Sequence, residues 1–297
     1  MRILIIGKGM LGEAIYESDW IKTHTVDATT ISSAPAFDIS KRQNVIDFFK
    51  ANQTEGRYNI IINCAAISNV DECERNPDLA HQINALGVKY IAEQAKATGA
   101  ALIHISTDYV FEGQTQASCS ESAATNPRSI YGLTKLEGEY YALNHCPLSV
   151  VVRPTWIFGG RRSDFVNQTI SKLKHNEHIN IINNQFARPT YAKDLAQAIG
   201  LIVNQLISVA INEEKSLNQI YHITNKGLTT RYDMAKEIWN CLGKTGSVEP
   251  MSASQIKSWV AIRPKTTDLD CSKYENEFNF DMPDWQDSLR EYVQCES

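Results

Sequence analysis

Apolar residues in the first half of the chain fall into short runs separated by stretches of helical period. RILIIG (2–7), THTVD (23–27), YNIIINCAA (58–66), AALIHIS (100–106) and LSVVVRP (148–154) read as five strands. Between them MLGEAIYESD (10–19), KRQNVIDFFKAN (41–52), the run 77–99 with Gly at its end, and SIYGLTKLEGEYYALN (129–144) repeat apolar positions every three to four residues, as amphipathic helices do. The strands are nearly all apolar, as expected when both faces of a parallel sheet are covered. Strand and helix in alternation predict an α/β fold, a doubly wound parallel sheet of the Rossmann kind. After Pro154 the regularity weakens: helices are expected at 164–176, 191–211, 230–243 and 284–294, and a strand at 218–224. This division predicts a dinucleotide-binding domain over 1–155 and a smaller C-terminal α/β cap over 156–297, mainly for substrate, with the 191–211 helix packing back on the sheet.

Composition narrows the function. The 297 residues carry a net charge of -5, so nothing suggests a basic nucleic-acid surface. No apolar run approaches the roughly 18 residues of a membrane span. The start, MRILIIGKGM, reads as a strand and a turn, not a secretory signal. Seven cysteines form no C-x-x-C and suit reduced thiols in a cytoplasmic protein.

Two stretches carry chemistry. In IIGKGMLGEAI, Gly7-x-Gly9-x-x-Gly12 follows a strand and opens a helix. Such glycines allow a tight turn and close approach to a pyrophosphate at a helix N-terminus. Asp27, 20 residues after Gly7, is placed by this reading at the end of the second strand, where an acid accepts a bond from a ribose 2′-OH. No Arg or Lys follows before Lys41, which favours NAD(H) over NADP(H).

The second stretch is IYGLTK, with Tyr131 and Lys135 four residues apart on one helix face. With 12 tyrosines, chance supplies that spacing about once, and Tyr232 and Lys236 repeat it. Setting distinguishes them. The helix of Tyr131 follows a strand ending in Ser106, Thr107 and Asp108, at the sheet edge where cofactors lie. No such strand precedes Tyr232, so that pair reads as a helix surface. Reducing a ketone needs a hydride on carbon and a proton on oxygen. A lysine cation beside a tyrosine lowers its pKa towards neutrality, and Thr107 can hydrogen-bond the oxygen as charge grows there.

These residues resemble the extended short-chain dehydrogenase/reductases and, within them, the dTDP-4-dehydrorhamnose reductase family. The likeness runs through NCAAISNVDECE (63–74), IHISTDYVFEG (103–113), YGLTKLEGE (131–139), VVRPTWIFG (151–159), ARPTYAKDLA (187–196) and IRPKTTDLD (262–270). It implies Thr107, Tyr131 and Lys135 as the catalytic triad, with Tyr131 and Lys135 also touching the cofactor. It implies Asp108 and Trp156 as substrate contacts, and Gly9, Met10, Leu11, Asp38, Ile39, Ala65 and Ala66 as cofactor contacts. Arg188 and Arg263 are candidates to grip a diphosphate. The implied reaction is NAD(P)H-dependent reduction of the C4 keto group of a nucleotide-linked 4-keto-6-deoxy sugar, by a chain able to form a homodimer. Rival readings are a non-catalytic dinucleotide-binding subunit, like the regulatory subunit of methionine adenosyltransferase, and a sugar-nucleotide epimerase or dehydratase. Two departures stand out. The family's turn has one more residue. Lys193 also stands where some members place an acid for Mg²⁺ at a dimer interface, and Glu13 is offset by one, so neither metal nor that dimer is carried over.

Overall fold

A computed structural model describes residues 1–30, 37–52, 56–113, 118–160, 164–211 and 216–295. The central sheet has six parallel strands: β1 (Arg2–Ile6), β2 (Thr25–Thr29), β3 (Ile60–Asn63), β4 (Ala101–Ile105), β5 (Leu148–Arg153) and β10 (Leu217–His222), in the spatial order β10-β5-β4-β3-β1-β2. The order reverses beside β1, with β2 on one flank and β3 on the other. A crevice opens there beyond the carboxyl ends of the strands. The five-strand reading thus gains a sixth, β10, drawn from the C-terminal half and in register with β5 from Leu217–Leu148 to His222–Arg153.

Alternate strand residues feed two cores. Ile3, Ile5, Ile60, Ile62, Ile103 and Val152 face one side. There they meet α1 (Met10–Glu17) and Leu195, Ala198, Ile199, Ile202 and Val203 of α8 (Ala192–Ile211). Leu4, Ile6, Ile61, Leu102 and Val151 face the other side. Their partners come from α2 (Arg42–Ala51), α5 (Gly87–Thr98) and α6 (Ile130–His145). The expected helix 77–99 is three pieces: α4 (Pro77–His81), a π-helical turn over Gln82–Leu86, and α5, which ends where Gly99 takes φ 74.

A third core lies beyond the sheet, among α7 (Phe165–Lys174), α9 (Arg231–Cys241) and α11 (Trp285–Cys295). Short parallel pairs complete the chain: β6 (Ile157–Phe158) with β9 (Thr190–Tyr191), β8 (Phe186–Ala187) with β12 (Thr266–Thr267), and, beside this core, β7 (His178–Ile182) with β11 (Ser247–Met251); α10 (Ser272–Phe278) precedes α11. A further helix, α3 (Val70–Arg75), follows β3. Among the described residues no helix is long and apolar enough to cross a membrane.

Candidate active site

The turn between β1 and α1 fits a phosphate. Gly7 has φ +89, and a Cβ there would lie 2.6 Å from Ala65 N; one on Gly12 would lie 2.3 Å from Gly7 O. At Gly9 an added Cβ would meet nothing within 4 Å, so this side of the turn is open. No side chain caps α1 at Gly9, which leaves first-turn N–H groups free of a capping acceptor. Two cavities meet there. One, about 310 Å³, is lined by Gly7, Gly9, Asp38, Ile39, Ala65 and Ala66 among others. The other, about 490 Å³, is lined by Gly9, Met10, Leu11, Thr107, Asp108, Tyr131, Lys135 and Trp156 among others. Among the described residues nothing obstructs the turn, and a cavity adjoins it on either side, as a dinucleotide requires.

Local structure places the reacting side chains. Ser129 caps α6 by accepting from Gly132 N at 3.2 Å. A Cβ on Gly132 would fall 2.2 Å from Tyr109 O, so only glycine lets α6 start against the end of β4. Arg153 of β5 grips Glu139 with two nitrogens, at 2.8 and 2.6 Å, and Ser106 donates to the same carboxylate at 2.5 Å. This fully buried pair fixes α6 to the two strands that carry the site. Thr107 donates to Asp108 at 3.0 Å, and Thr267 donates to its other oxygen at 2.6 Å.

Burial dominates the electrostatics. It pushes Asp108 up to about 6, against hydrogen bonds from Thr267 and Thr107 that lower it. It raises Tyr131 above the usual phenol range, the opposite of the shift towards neutrality expected from a neighbouring lysine, with a Thr107 hydrogen bond opposing. It lowers Lys135 to about 8. Lys135 Nζ donates to Ile105 O, 2.5 Å away, and lies 3.4 Å from His104 Nε2. Trp156, on the rim, holds a left-handed backbone at φ 37, an unfavourable setting for an aromatic residue and one that clusters at ligand sites.

Three expectations need correction. Asp27 is not at a strand end: β2 runs two residues further, and Asp27 pairs with Leu4 mid-strand. Its carboxylate accepts from Arg2 at 2.9 and 2.7 Å and from Tyr58 at 2.9 Å, outside both cavities. The residues following β2, 31–36, lie outside those described. Arg188 is likewise outside both cavities, ion-paired to Asp268 at 2.5 Å. Arg263 does face the cleft, lining a third cavity of about 520 Å³ that shares Val70, Tyr109, Trp156 and Arg231 with the second. Its bidentate face is turned to Asp71, at 3.1 and 2.7 Å, and its guanidinium lies 3.8 Å from the Trp259 ring centroid. The pair docks the 260–263 segment on α3, where Asp71 also accepts from Val260 and Ala261.

Apolar period does not single out Arg231, yet it lines both the second and third cavities. It stacks 4.6 Å from the Trp156 centroid and 4.8 Å from that of Phe165. Among the described residues it joins no ion pair; burial lowers its pKa while Asp108 and Asp164 act on it only at range. The second Tyr/Lys pair is elsewhere: Tyr232 packs into the third core and Lys236 lies over Trp239.

Comparison with known proteins points to one family. A family model described as the RmlD substrate binding domain matches residues 1–297. A dTDP-4-dehydrorhamnose reductase of Escherichia coli K12 is 32% identical over 300 residues, covering 96% of this chain and 95% of that one. A crystal structure of such a reductase from Clostridium acetobutylicum superposes with a TM-score of 0.86 at 34% identity, over 100% of this chain and 99% of that chain. One from Bacillus anthracis, in complex with NADP, gives 0.87 at 30% identity with the same coverage.

Proposed function

This chain belongs to the dTDP-4-dehydrorhamnose reductase family, and from that premise we propose that it reduces the C4 keto group of a nucleotide-linked 4-keto-6-deoxy sugar, dTDP-4-dehydrorhamnose first among them, using a nicotinamide dinucleotide. The observation that carries the reading is one cavity lined by the glycine turn together with Thr107, Asp108, Tyr131 and Lys135. A dinucleotide held along the turn by Gly7, Gly9 and Ala65 would supply the hydride. Tyr131 donates the proton to the C4 oxygen. Burial keeps its phenol protonated until a partner arrives, and the Thr107 hydroxyl works in the opposite direction. Thr107 also steadies the oxygen as it gains charge. Lys135 would hold the nicotinamide ribose. Asp108 and Trp156 hold the sugar.

The diphosphate and nucleoside extend into the adjoining cavity. We assign Arg231 to the diphosphate in place of Arg188, because its guanidinium faces the cleft and joins no ion pair among the described residues. Asp27 gives no ground for NADH over NADPH. The Bacillus anthracis relative holds NADP, so NADPH and NADH are assayed side by side.

The test is turnover. Purified protein is incubated with either dinucleotide and dTDP-, UDP-, GDP- or CDP-linked 4-keto-6-deoxy sugars, and the product's C4 configuration is determined. Stoichiometric oxidation of the dinucleotide with the dTDP sugar supports the reading. No net oxidation with any sugar refutes it and returns the regulatory-subunit and epimerase alternatives. Light scattering on the same preparation reads whether two copies associate.

A further inference from the structure

Beneath the site, a chain of buried polar groups links Lys135 to the loop after β3. Ala65 N–H donates to Asn63 Oδ1 at 3.2 Å. Since a backbone N–H can only donate, the amide must present its oxygen there. Its NH2, a pure donor, then faces His104 Nδ1 at 3.2 Å. That nitrogen must accept, so a neutral ring carries its proton on Nε2. Nε2 lies 3.4 Å from Lys135 Nζ. Two donors would confront each other there if Lys135 were an ammonium. The contact is attractive when Lys135 is an amine, accepting from Nε2–H and donating to Ile105 O.

We propose that His104 is a positioning residue which, through Asn63, ties the charge of Lys135 to the loop that lines the dinucleotide cavity. For Lys135 to take a proton from solvent, Nε2 must become the acceptor. The ring proton then sits on Nδ1, and the Asn63 amide must turn its oxygen towards it. That turn leaves Ala65 N–H without its acceptor, and Ala65 both lines the cavity and packs against Gly7. Protonation of the lysine and conformation of the cofactor loop are thus one equilibrium. The ring is suited to this because burial keeps it neutral, well below the usual histidine range. The other groups acting on Lys135 are Glu139 on its own helix, Cys64 after β3 and Cys73 on α3. Glu139 is already held by Arg153 and Ser106, and burial raises both thiols, so His104 is the neighbour free to change state.

The proposal rests on the reading that Lys135 meets the dinucleotide, and its test separates the two. The full chain, labelled with ¹⁵N at histidine, is followed by long-range ¹H–¹⁵N correlation from about pH 6 to about pH 10, a range that brackets the lowered lysine titration. His104→Phe identifies the signal. The expected result is a neutral ring whose proton moves from Nδ1 to Nε2 as pH rises, at a midpoint below the ordinary lysine range. One tautomer throughout, or a charged ring at the low end, overturns it. Dinucleotide binding by fluorescence titration gives the second readout. It is expected to weaken above the lysine midpoint, and His104→Phe and Asn63→Ala should each move that midpoint up by about one pH unit, since the ammonium no longer meets a ring N–H. Weaker binding at an unmoved midpoint in both variants means a merely structural role and overturns the proposal. A wild type that binds no dinucleotide overturns the functional reading instead, and the tautomer measurement then decides alone.

Discussion

Arg231→Met is the most informative single change. Methionine keeps much of the length and apolar contact but removes the cation. A hydrogen bond to a charged group is worth about 1.5–3 kcal/mol. Losing one such bond to the diphosphate should therefore raise KM for the nucleotide sugar about ten- to a hundredfold. The diphosphate is remote from C4, so kcat should stay within about threefold, the pattern of lost uniform binding. Stability should barely fall. Two ring contacts, each worth up to about 2 kcal/mol for a desolvated cation, are lost, but so is the cost of holding that cation with no ion-pair partner among the described residues. Arg188→Met is the control. It should leave KM unchanged and lower Tm, because it strands Asp268, whose side chain is only 15% exposed. Initial rates at saturating dinucleotide give KM and kcat, and displacement by dTDP reads ground-state binding directly. If Arg231→Met keeps the wild-type KM while Arg188→Met raises it, the diphosphate has been placed at the wrong arginine.

Tyr131→Phe should lower kcat by about 10² or more with Tm and dinucleotide affinity unchanged, whereas Tyr232→Phe, which alters only packing in the third core, should leave kcat alone. Asp108→Asn tests the buried carboxyl. Its folded pKa of about 6 exceeds the ordinary aspartate value of about 3.9, so the native state binds more protons between those values and stability falls as pH rises through that window. The variant should lose this slope and gain up to about 3 kcal/mol relative to wild type above pH ~6, read by urea unfolding at both ends. Asp27→Ala should lower Tm by removing the ion pair between Asp27 and Arg2 but leave the NADH/NADPH ratio within about twofold; a larger change would restore Asp27 to the cofactor site.

Whole elements were easier to read from the chain than their ends. Five strand runs and the long helices stand near their expected places because burial on both sheet faces demands continuous apolar stretches. The Gly7 turn and the cavity lined by Thr107, Tyr131 and Lys135 follow from that topology, since β1 and β4 end at one edge. Boundaries rest on weaker local preferences, and there a shift of two residues decides chemistry. THTVD reads as a strand finishing at Asp27. Backbone pairing carries β2 on to Thr29 and leaves the acid beside Arg2. Long-range partners such as Glu139 with Arg153, or Asn63 with His104, have no periodic signature at all.

Arg231 is different, because a local signal for it exists. Thr230 and Asp233 form a capping box that marks the start of α9, so Arg231 is the helix's first residue. A helix N-terminus carries partial positive charge and favours acids. A cation there works against the helix and costs a few tenths to about 1 kcal/mol. Wedged between Trp156 and Phe165, it is desolvated as well. Both penalties shrink when an anion enters the cleft, where the arginine and the helix end act on it with the same sign. A residue that breaks the local rule for its own helix is therefore where a binding function is to be sought, and a diphosphate bound there would make the arrangement electrostatically consistent.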